Sequence, residues 1–180
     1  MDIKLNINLH EHQREIHKSN ARFVVIKAGK RFGKTKLALY RLIQRAGQYP
    51  GEVFWYVAPF YNQAKGIAWL ELKRLLPDEL IKRRNESELM IELINGSIIF
   101  LKGADNEDSL RGIDLRAVVL DEAAYINEYA WYGIIQGQLL KGDSEATQSF
   151  ADFISSPNKK GRNWFTGFHA EAARKQREGD

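Results

Sequence analysis

Phe23-Val24-Val25-Ile26-Lys27, running into Ala28-Gly29-Lys30-Arg31-Phe32-Gly33-Lys34-Thr35, is the stretch on which the reading of this chain turns. An apolar, β-prone run feeds a glycine-bearing loop, and Leu37, Leu39, Leu42 and Ile43 beyond it suit a helix with one apolar face. Strand, loop and helix in that order make an anion site: successive backbone N–H groups form a concave nest, and the positive end of the helix adds to it. Gly33 lets the backbone close around a phosphate without a Cβ in the way. Lys34 then reaches the β- and γ-phosphates of a nucleotide as a compact charge, and the Thr35 hydroxyl enters the shell of a Mg²⁺ ion. One position departs from the usual pattern, which opens with Gly where this chain has Ala28. A basic surface turn is the plain alternative, since Lys27, Lys30, Arg31 and Lys34 crowd the stretch with positive charge. The strand before it and the helix after it favour a phosphate loop.

At 180 residues, 44% of them hydrophobic, the chain suffices for one compact domain with a sizeable core. Cysteine is absent, which excludes disulfides and thiolate metal sites and fits a reducing interior. No basic segment leading into a long apolar stretch opens the sequence, and no apolar run approaches the roughly 18 residues of a membrane span, so a soluble intracellular protein is expected. A formal net charge of +4 suits a polyanionic partner without requiring one.

Upstream of the loop, Ile3, Leu5, Ile7 and Leu9 alternate with polar residues as an extended arm does, ahead of a polar, helix-like stretch from His10 to Lys18. His10, His12 and His17 match no zinc spacing and read as a solvated face. The Gln13 amide offers a donor and an acceptor, as the edge of adenine requires.

Downstream, Val53 to Ala58 is a continuous apolar run ending at Pro59, the pattern of a strand buried on both faces, and a helix is expected from about Gln63 to Leu75, closed by Pro77. Strand and helix in alternation predict a parallel sheet covered on both sides. Leu89 to Ile94, Asn95-Gly96 and Ser97 to Leu101 predict a hairpin inserted into that core, with Asn-Gly supplying two positive φ values at a tight turn. A polar loop from Gly103 to Asp114 precedes an apolar strand, Leu115 to Leu120, that ends in Asp121-Glu122. A helix from about Glu128 to Leu140 and a last strand from Gln148 to Ile154 follow, the latter stopping at Ser155-Ser156-Pro157. From Arg162 the chain reads as helical, and from Ala170 to Asp180 it becomes charged and loses apolar periodicity. Residues 1–168 are therefore expected to form the domain, and 169–180 a linker-like tail.

ATP hydrolysis needs held phosphates, a metal, an oriented water and positive charge on the transferred phosphoryl group. Asp121 closes a buried strand, so in a parallel sheet its carboxylate emerges at the same edge as the phosphate loop, where it can hold Mg²⁺. Glu122 is placed to polarise the attacking water as general base. A polar stop after a strand is the alternative reading of the pair. Ser155 and Ser156 either hydrogen-bond the γ-phosphate or the lytic water, or simply turn the chain before Pro157. Arg111, on a glycine-punctuated loop, is either an arginine finger for a neighbouring subunit or a solvated side chain. Lys30 and Arg31 can touch the γ-phosphate from within the loop. For nucleic acid the candidates are Lys82-Arg83-Arg84 and the segment Tyr61 to Lys65, with a solvated face explaining the triplet at least as well.

Gln13 ahead of the first strand, a basic phosphate loop, an aromatic strand ending Ala58-Pro59, Leu110-Arg111-Gly112, Val118-Val119-Leu120-Asp121-Glu122-Ala123 and Ser155-Ser156-Pro157 come in an order that resembles the ATPase domain of the large terminase subunit of tailed double-stranded DNA bacteriophages. The resemblance covers nearly the whole chain. It implies an α/β P-loop NTPase of the additional-strand catalytic-Glu type, with a mostly parallel central sheet. It further implies that Gln13 contacts adenine, that Ala28 to Thr35 hold the phosphates, that Thr35 and Asp121 hold Mg²⁺, and that Glu122 is the base. Arg111 would be the trans-acting finger, and Ser155-Ser156 would couple hydrolysis to movement. ATP and Mg²⁺ are the implied cofactors. The implied setting is a homo-oligomeric ring on a capsid portal, working with the small terminase subunit in the cytoplasm of the infected host and driving double-stranded DNA into a prohead. The family's second domain, a metal-dependent nuclease, needs an acidic cluster for which nothing after Ser155 offers a candidate, so nuclease activity is not expected. A helicase-like ATPase and a nucleotide-responsive assembly module with little turnover remain the alternatives.

Overall fold

A computed structural model describes residue 5 and residues 7–139, 148–157 and 163–178. In chain order its strands are β1 (Phe23–Lys27), β2 (Val53–Ala58), β3 (Ile81–Asn85), β4 (Met90–Leu93), β5 (Ile98–Gly103), β6 (Ala117–Asp121) and β7 (Phe150–Ser155). Its helices are α1 (Glu11–His17), α2 (Lys34–Gln48), α3 (residues 61–75), α4 (residues 128–138) and α5 (Trp164–Glu178). The strands form one sheet in the order β1-β7-β6-β2-β5-β4-β3. The five from β1 to β5 are parallel, and β4 and β3 add antiparallel at the far edge.

Alternate residues of β2 explain why its apolar run is unbroken. Phe54, Tyr56 and Ala58 join the cluster on the side of α2 and α3, while Trp55 and Val57 join the cluster under α4 and α5. Both faces are covered, so neither set can be polar. Leu37, Ala38, Leu42 and Ile43 of α2 are fully buried against the first face, which fixes the helix over the strands that carry the site.

The hairpin is present, but in space it lies at the sheet's edge rather than among the parallel strands: β5 continues the parallel set beside β2, and β4 folds back outside it. Its turn is not the two-residue type. Only Gly96 has positive φ, at 83°, and Leu93 exchanges hydrogen bonds with Gly96 N–H at 2.9 Å and Ser97 C=O at 2.8 Å, giving a three-residue loop closed by a left-handed glycine. Asn95 is held out of that role because its side chain bonds the Ala46 carbonyl at 2.8 Å and the Ser97 N–H at 3.1 Å.

Lys82-Arg83-Arg84 forms the middle of β3, an outermost strand whose charges are engaged: Lys82 and Arg83 pair with Glu92, and Arg84 with Asp78. Charge on an edge strand discourages pairing with other chains, and this accounts for the triplet without nucleic acid. Helices α3 and α4 each contain a π-helical stretch, Ala64–Ala68 and Ala130–Ile135, where regular helix was expected. Residues 169–178, expected to begin a linker-like tail, continue α5, which packs on β1. Ile3 of the arm, Leu140, Arg162 and residues 179–180 lie outside the described residues. Among the described residues no helix is long and apolar enough to cross a membrane.

Candidate active site

Because β1, β7 and β6 run parallel in register, with Lys27 beside Ser155 and Ile154 beside Asp121, their C-terminal ends form one edge. Every chain segment leaving that edge carries a polar group the sequence had singled out. The loop after β1 turns at Arg31 (φ 67°) and Gly33 (φ 82°) into α2. A Cβ on Gly33 would lie 2.7 Å from Gln13 Nε2, so both the backbone angle and the space call for glycine. The Ala28 methyl is accommodated, its N–H bonding the Ser155 carbonyl at 3.2 Å.

Lys34, in the first turn of α2 and 8% exposed, folds back over the loop. Its ammonium donates to the Ala28 carbonyl at 2.9 Å, the Gly29 carbonyl at 3.1 Å and Ser156 Oγ at 3.0 Å. Ser156 Oγ in turn reaches Glu122 Oε1 at 3.2 Å, and its N–H reaches Glu122 Oε2, also at 3.2 Å. Ser155 Oγ donates to that same Oε2 at 3.2 Å. A continuous hydrogen-bonded path thus runs from Lys34 through Ser156 to Glu122, across 122 residues of sequence. Glu122 itself sits in left-handed backbone at φ 46° and ψ 45°. A non-glycine residue held there stores strain of about 1–3 kcal/mol, the kind that concentrates at functional sites.

Asp121 is placed one step back. Its Oδ2 accepts from Thr35 Oγ1 at 3.4 Å and from the hydroxyl of Tyr56, and its Oδ1 accepts the Glu122 N–H at 2.8 Å. Burial pushes the Asp121 carboxyl up from its ordinary value, with the Glu122 charge adding to burial and the Tyr56 hydrogen bond opposing it. Burial followed by the Asp121 charge raises the Tyr56 hydroxyl well above its ordinary value, so the phenol is a hydrogen-bond donor. A carboxylate and a hydroxyl are hard oxygen ligands suited to Mg²⁺, which is bound by one or two protein groups with substrate phosphates and water completing its shell. Among the described residues no group of three His, Asp or Glu side chains is arranged to hold a metal alone.

Four of the expected site residues, Gln13, Lys30, Arg31 and Arg111, stand apart from this cluster. Gln13 is 6% exposed, its Oε1 accepting the His10 N–H at 3.2 Å and its Nε2 donating to the Phe32 carbonyl at 2.8 Å. The amide braces the loop from below, and contact with adenine would require it to release these bonds. Lys30 is exposed on the loop, as is Arg31. Arg111 is also exposed and reaches no group of the cluster. Its guanidinium donates to the Tyr129 hydroxyl at 3.3 Å and lies 3.8 Å from Asp108. His10 and His12 are exposed, as a solvated face requires, the His10 ring lying edge-on against Phe32, whereas His17 is half-buried against Tyr40.

Sequence reasoning missed two features. Tyr56 was read as core, its hydroxyl partner on a different strand. Asp152, fully buried in β7, meets Arg41 Nε at 2.7 Å and Arg45 at 3.1 Å. Burial would raise this carboxyl, but Arg45 and Arg41 outweigh it and hold it below its ordinary value. Burial lowers Arg45 in turn, with the Asp152 charge opposing it and the neighbouring Arg41 charge adding to it. An acid inside the apolar run Phe150-Ala151-Asp152-Phe153-Ile154 was the available signal for a buried ion pair.

No family model matches the sequence. The large terminase subunit of Thermus virus P23-45 is 31% identical over 178 residues, covering 88% of this chain and 35% of that protein. Among solved structures, a mutant of the large terminase ATPase domain of Thermus phage P74-26 superposes with a TM-score of 0.72 at 29% identity, over 88% of this chain and 68% of that one. The chain is a homologue of the large terminase ATPase domain. It spans about a third of the length of the curated large terminases it matches. The large terminase of a thermophilic bacteriophage, solved in complex with ADP, shares the fold alone: TM-score 0.66 at 14% identity, over 84% of this chain and 39% of that one. The terminase ATPase likeness and the mostly parallel, helix-flanked sheet agree with the α/β P-loop architecture expected from the phosphate-loop stretch.

Proposed function

We propose that this chain hydrolyses ATP with Mg²⁺ and, within a phage DNA-packaging motor, turns that hydrolysis into movement of double-stranded DNA into a prohead. The observation that carries the reading is the meeting of Lys34 and Thr35 with Asp121, Glu122, Ser155 and Ser156 at one edge of the sheet. The loop N–H groups and Lys34 bind the phosphates, Lys34 exchanging its carbonyl and Ser156 partners for phosphate oxygens. Thr35 and Asp121 would hold Mg²⁺, which when bound neutralises charge on the β- and γ-phosphate oxygens. Glu122 takes the proton of the attacking water, with Ser155 and Ser156 fixing its carboxylate. When Lys34 leaves Ser156 for phosphate, the end of β7 loses a bond, and this is the route by which the γ-phosphate is reported to the rest of the domain.

The homology to packaging ATPases supports the finer setting: a homo-oligomeric ring on the portal in the cytoplasm of the infected host, assisted by the small terminase subunit. Nuclease activity is not proposed for these residues. The test is phosphate release. The chain is expected to release phosphate from ATP only with Mg²⁺, and Glu122→Gln to bind a nonhydrolysable ATP analogue while turnover collapses by about 10²–10⁴-fold, the usual contribution of a general base. Wild-type turnover in Glu122→Gln refutes the assignment.

The position of Arg111 favours keeping a second reading, a nucleotide-responsive assembly module, because this arginine touches no site group of its own chain. Turnover per subunit that climbs with protein concentration and loses the climb in Arg111→Ala supports the ring motor with a finger acting in trans. Flat, negligible turnover with nucleotide-dependent association supports the module.

A further inference from the structure

Tyr56 stands near the middle of β2 with no exposed surface, among apolar neighbours on the α2 face of the sheet. A phenol sealed in such a core must give its hydroxyl a partner, and the cheapest solution is a backbone carbonyl or a neighbouring neutral side chain. Here the partner is a carboxylate: the hydroxyl donates to Asp121 Oδ2, at the end of the adjacent strand β6. Two other donors converge on the same carboxylate, Thr35 Oγ1 at 3.4 Å on Oδ2 and the Glu122 N–H at 2.8 Å on Oδ1. Their fates differ once an ion is present. On the reading above, the Thr35 oxygen would itself be a ligand of the ion, and the Glu122 N–H holds only the other oxygen. Tyr56 is left as the side chain that fixes which way Oδ2 points.

We propose that Tyr56 is a positioning residue of the ion site: its buried hydroxyl holds the Asp121 carboxylate in the orientation that meets Mg²⁺ together with Thr35. The proposal rests on the reading above, that Thr35 and Asp121 hold the ion. Outer groups that orient a ligating carboxylate contribute to metal affinity although they never touch the metal. A tyrosine serving only to fill the core would leave the ion requirement untouched when its hydroxyl is removed. Tyr56→Phe keeps the ring and its packing and deletes the donor alone.

The experiment is a Mg²⁺ titration of the affinity for a fluorescent nonhydrolysable ATP analogue, with thermal unfolding run alongside to establish that each variant folds cooperatively. In EDTA, Tyr56→Phe is expected to bind the analogue as the wild type does, while the Mg²⁺ concentration for half-maximal tightening rises roughly tenfold, the lower end of such outer-group effects. Asp121→Asn should abolish the tightening, and Tyr56→Phe added to Asp121→Asn should change nothing further. An unshifted midpoint in Tyr56→Phe overturns the proposal, as does an equal loss of affinity in EDTA and in Mg²⁺. Wild-type protein whose analogue affinity ignores both Mg²⁺ and Asp121→Asn refutes the ion-site reading itself, a different failure from an unshifted Tyr56→Phe.

Discussion

Replacing Asp152 by Ala strips the counter-charge from two buried guanidiniums at once. Arg41 (3% exposed) and Arg45 (8% exposed), one turn apart on α2, both bond this carboxylate, and Arg41 also donates to the Ile16 and His17 carbonyls at 2.6 and 3.1 Å. One acid therefore ties together the strand that ends in Ser155, the helix that begins with Lys34 and the helix that carries Gln13. Removing one partner of a buried pair costs about 3–5 kcal/mol. The lower end applies, about 3 kcal/mol, because Arg41 keeps its α1 carbonyls and Arg45 stays over the Phe150 ring, 4.6 Å from its centroid. At about 2–4 °C per kcal/mol for a chain of this size, Tm falls by roughly 6–12 °C. Thermal unfolding followed by circular dichroism at pH 7 reads this directly. The sign with pH follows from a carboxyl held below its ordinary 3.8: its contribution is present above that value and disappears as pH falls through the lowered folded value. The gap between wild type and Asp152→Ala should accordingly close in acid below about pH 4. A Tm within about 2 °C of wild type at pH 7, or a gap that is unchanged in acid, would refute the reasoning.

The remaining predictions bear on the site. Gly33→Ala places an L-residue at φ 82° with its methyl 2.7 Å from Gln13 Nε2, and should lose about 1–2 kcal/mol of stability and roughly tenfold in nucleotide affinity, measured by urea unfolding and by analogue titration. Ser156→Ala removes the link between Lys34 and Glu122, so phosphate release should fall by at least tenfold, or about 1.4 kcal/mol, with analogue affinity nearly unchanged. Burial, then Arg41 and Arg45, keep His17 below its ordinary 6.5, so the folded protein resists a proton that the unfolded chain accepts. Stability should therefore decline as pH drops below 6.5, and His17→Gln should flatten part of that slope in urea midpoints taken from pH 7.5 to about pH 5.5. His169, lowered in the same direction by burial and Lys27, supplies a further part.

Local signals and long-range ones divided sharply in this chain. The Phe23 to Ile43 stretch was legible because strand, turn and helix each have their own residue pattern within twenty-one consecutive positions. Asp121-Glu122 was legible because an apolar strand that stops at two acids must release them at a sheet edge. Strand β3 was not, since an edge strand lacks the apolar alternation that marks a buried one and Lys82-Arg83-Arg84 reads as a charge run. The Asn95-Gly96 pair misled because Asn95 is recruited by the Ala46 carbonyl, a contact 49 residues away that no local preference encodes. Asp152 announces a buried charge, yet its partners lie 111 and 107 residues upstream and depend on how α2 crosses β7. Gln13 was legible as an amide ahead of β1, but its bond to the Phe32 carbonyl was not, because the approach of α1 to the loop is tertiary.

Whether the gathered residues surround one triphosphate is most directly decided by a crystal structure of this chain with a nonhydrolysable ATP analogue and Mg²⁺. The account predicts the γ-phosphate within hydrogen-bonding distance of Lys34 Nζ, the ion contacted by Thr35 Oγ1 and held directly or through water by Asp121, and Glu122 facing the terminal phosphorus. An analogue bound elsewhere, with Lys34 still on the Ala28 and Gly29 carbonyls and Glu122 still on Ser155 and Ser156, would contradict it.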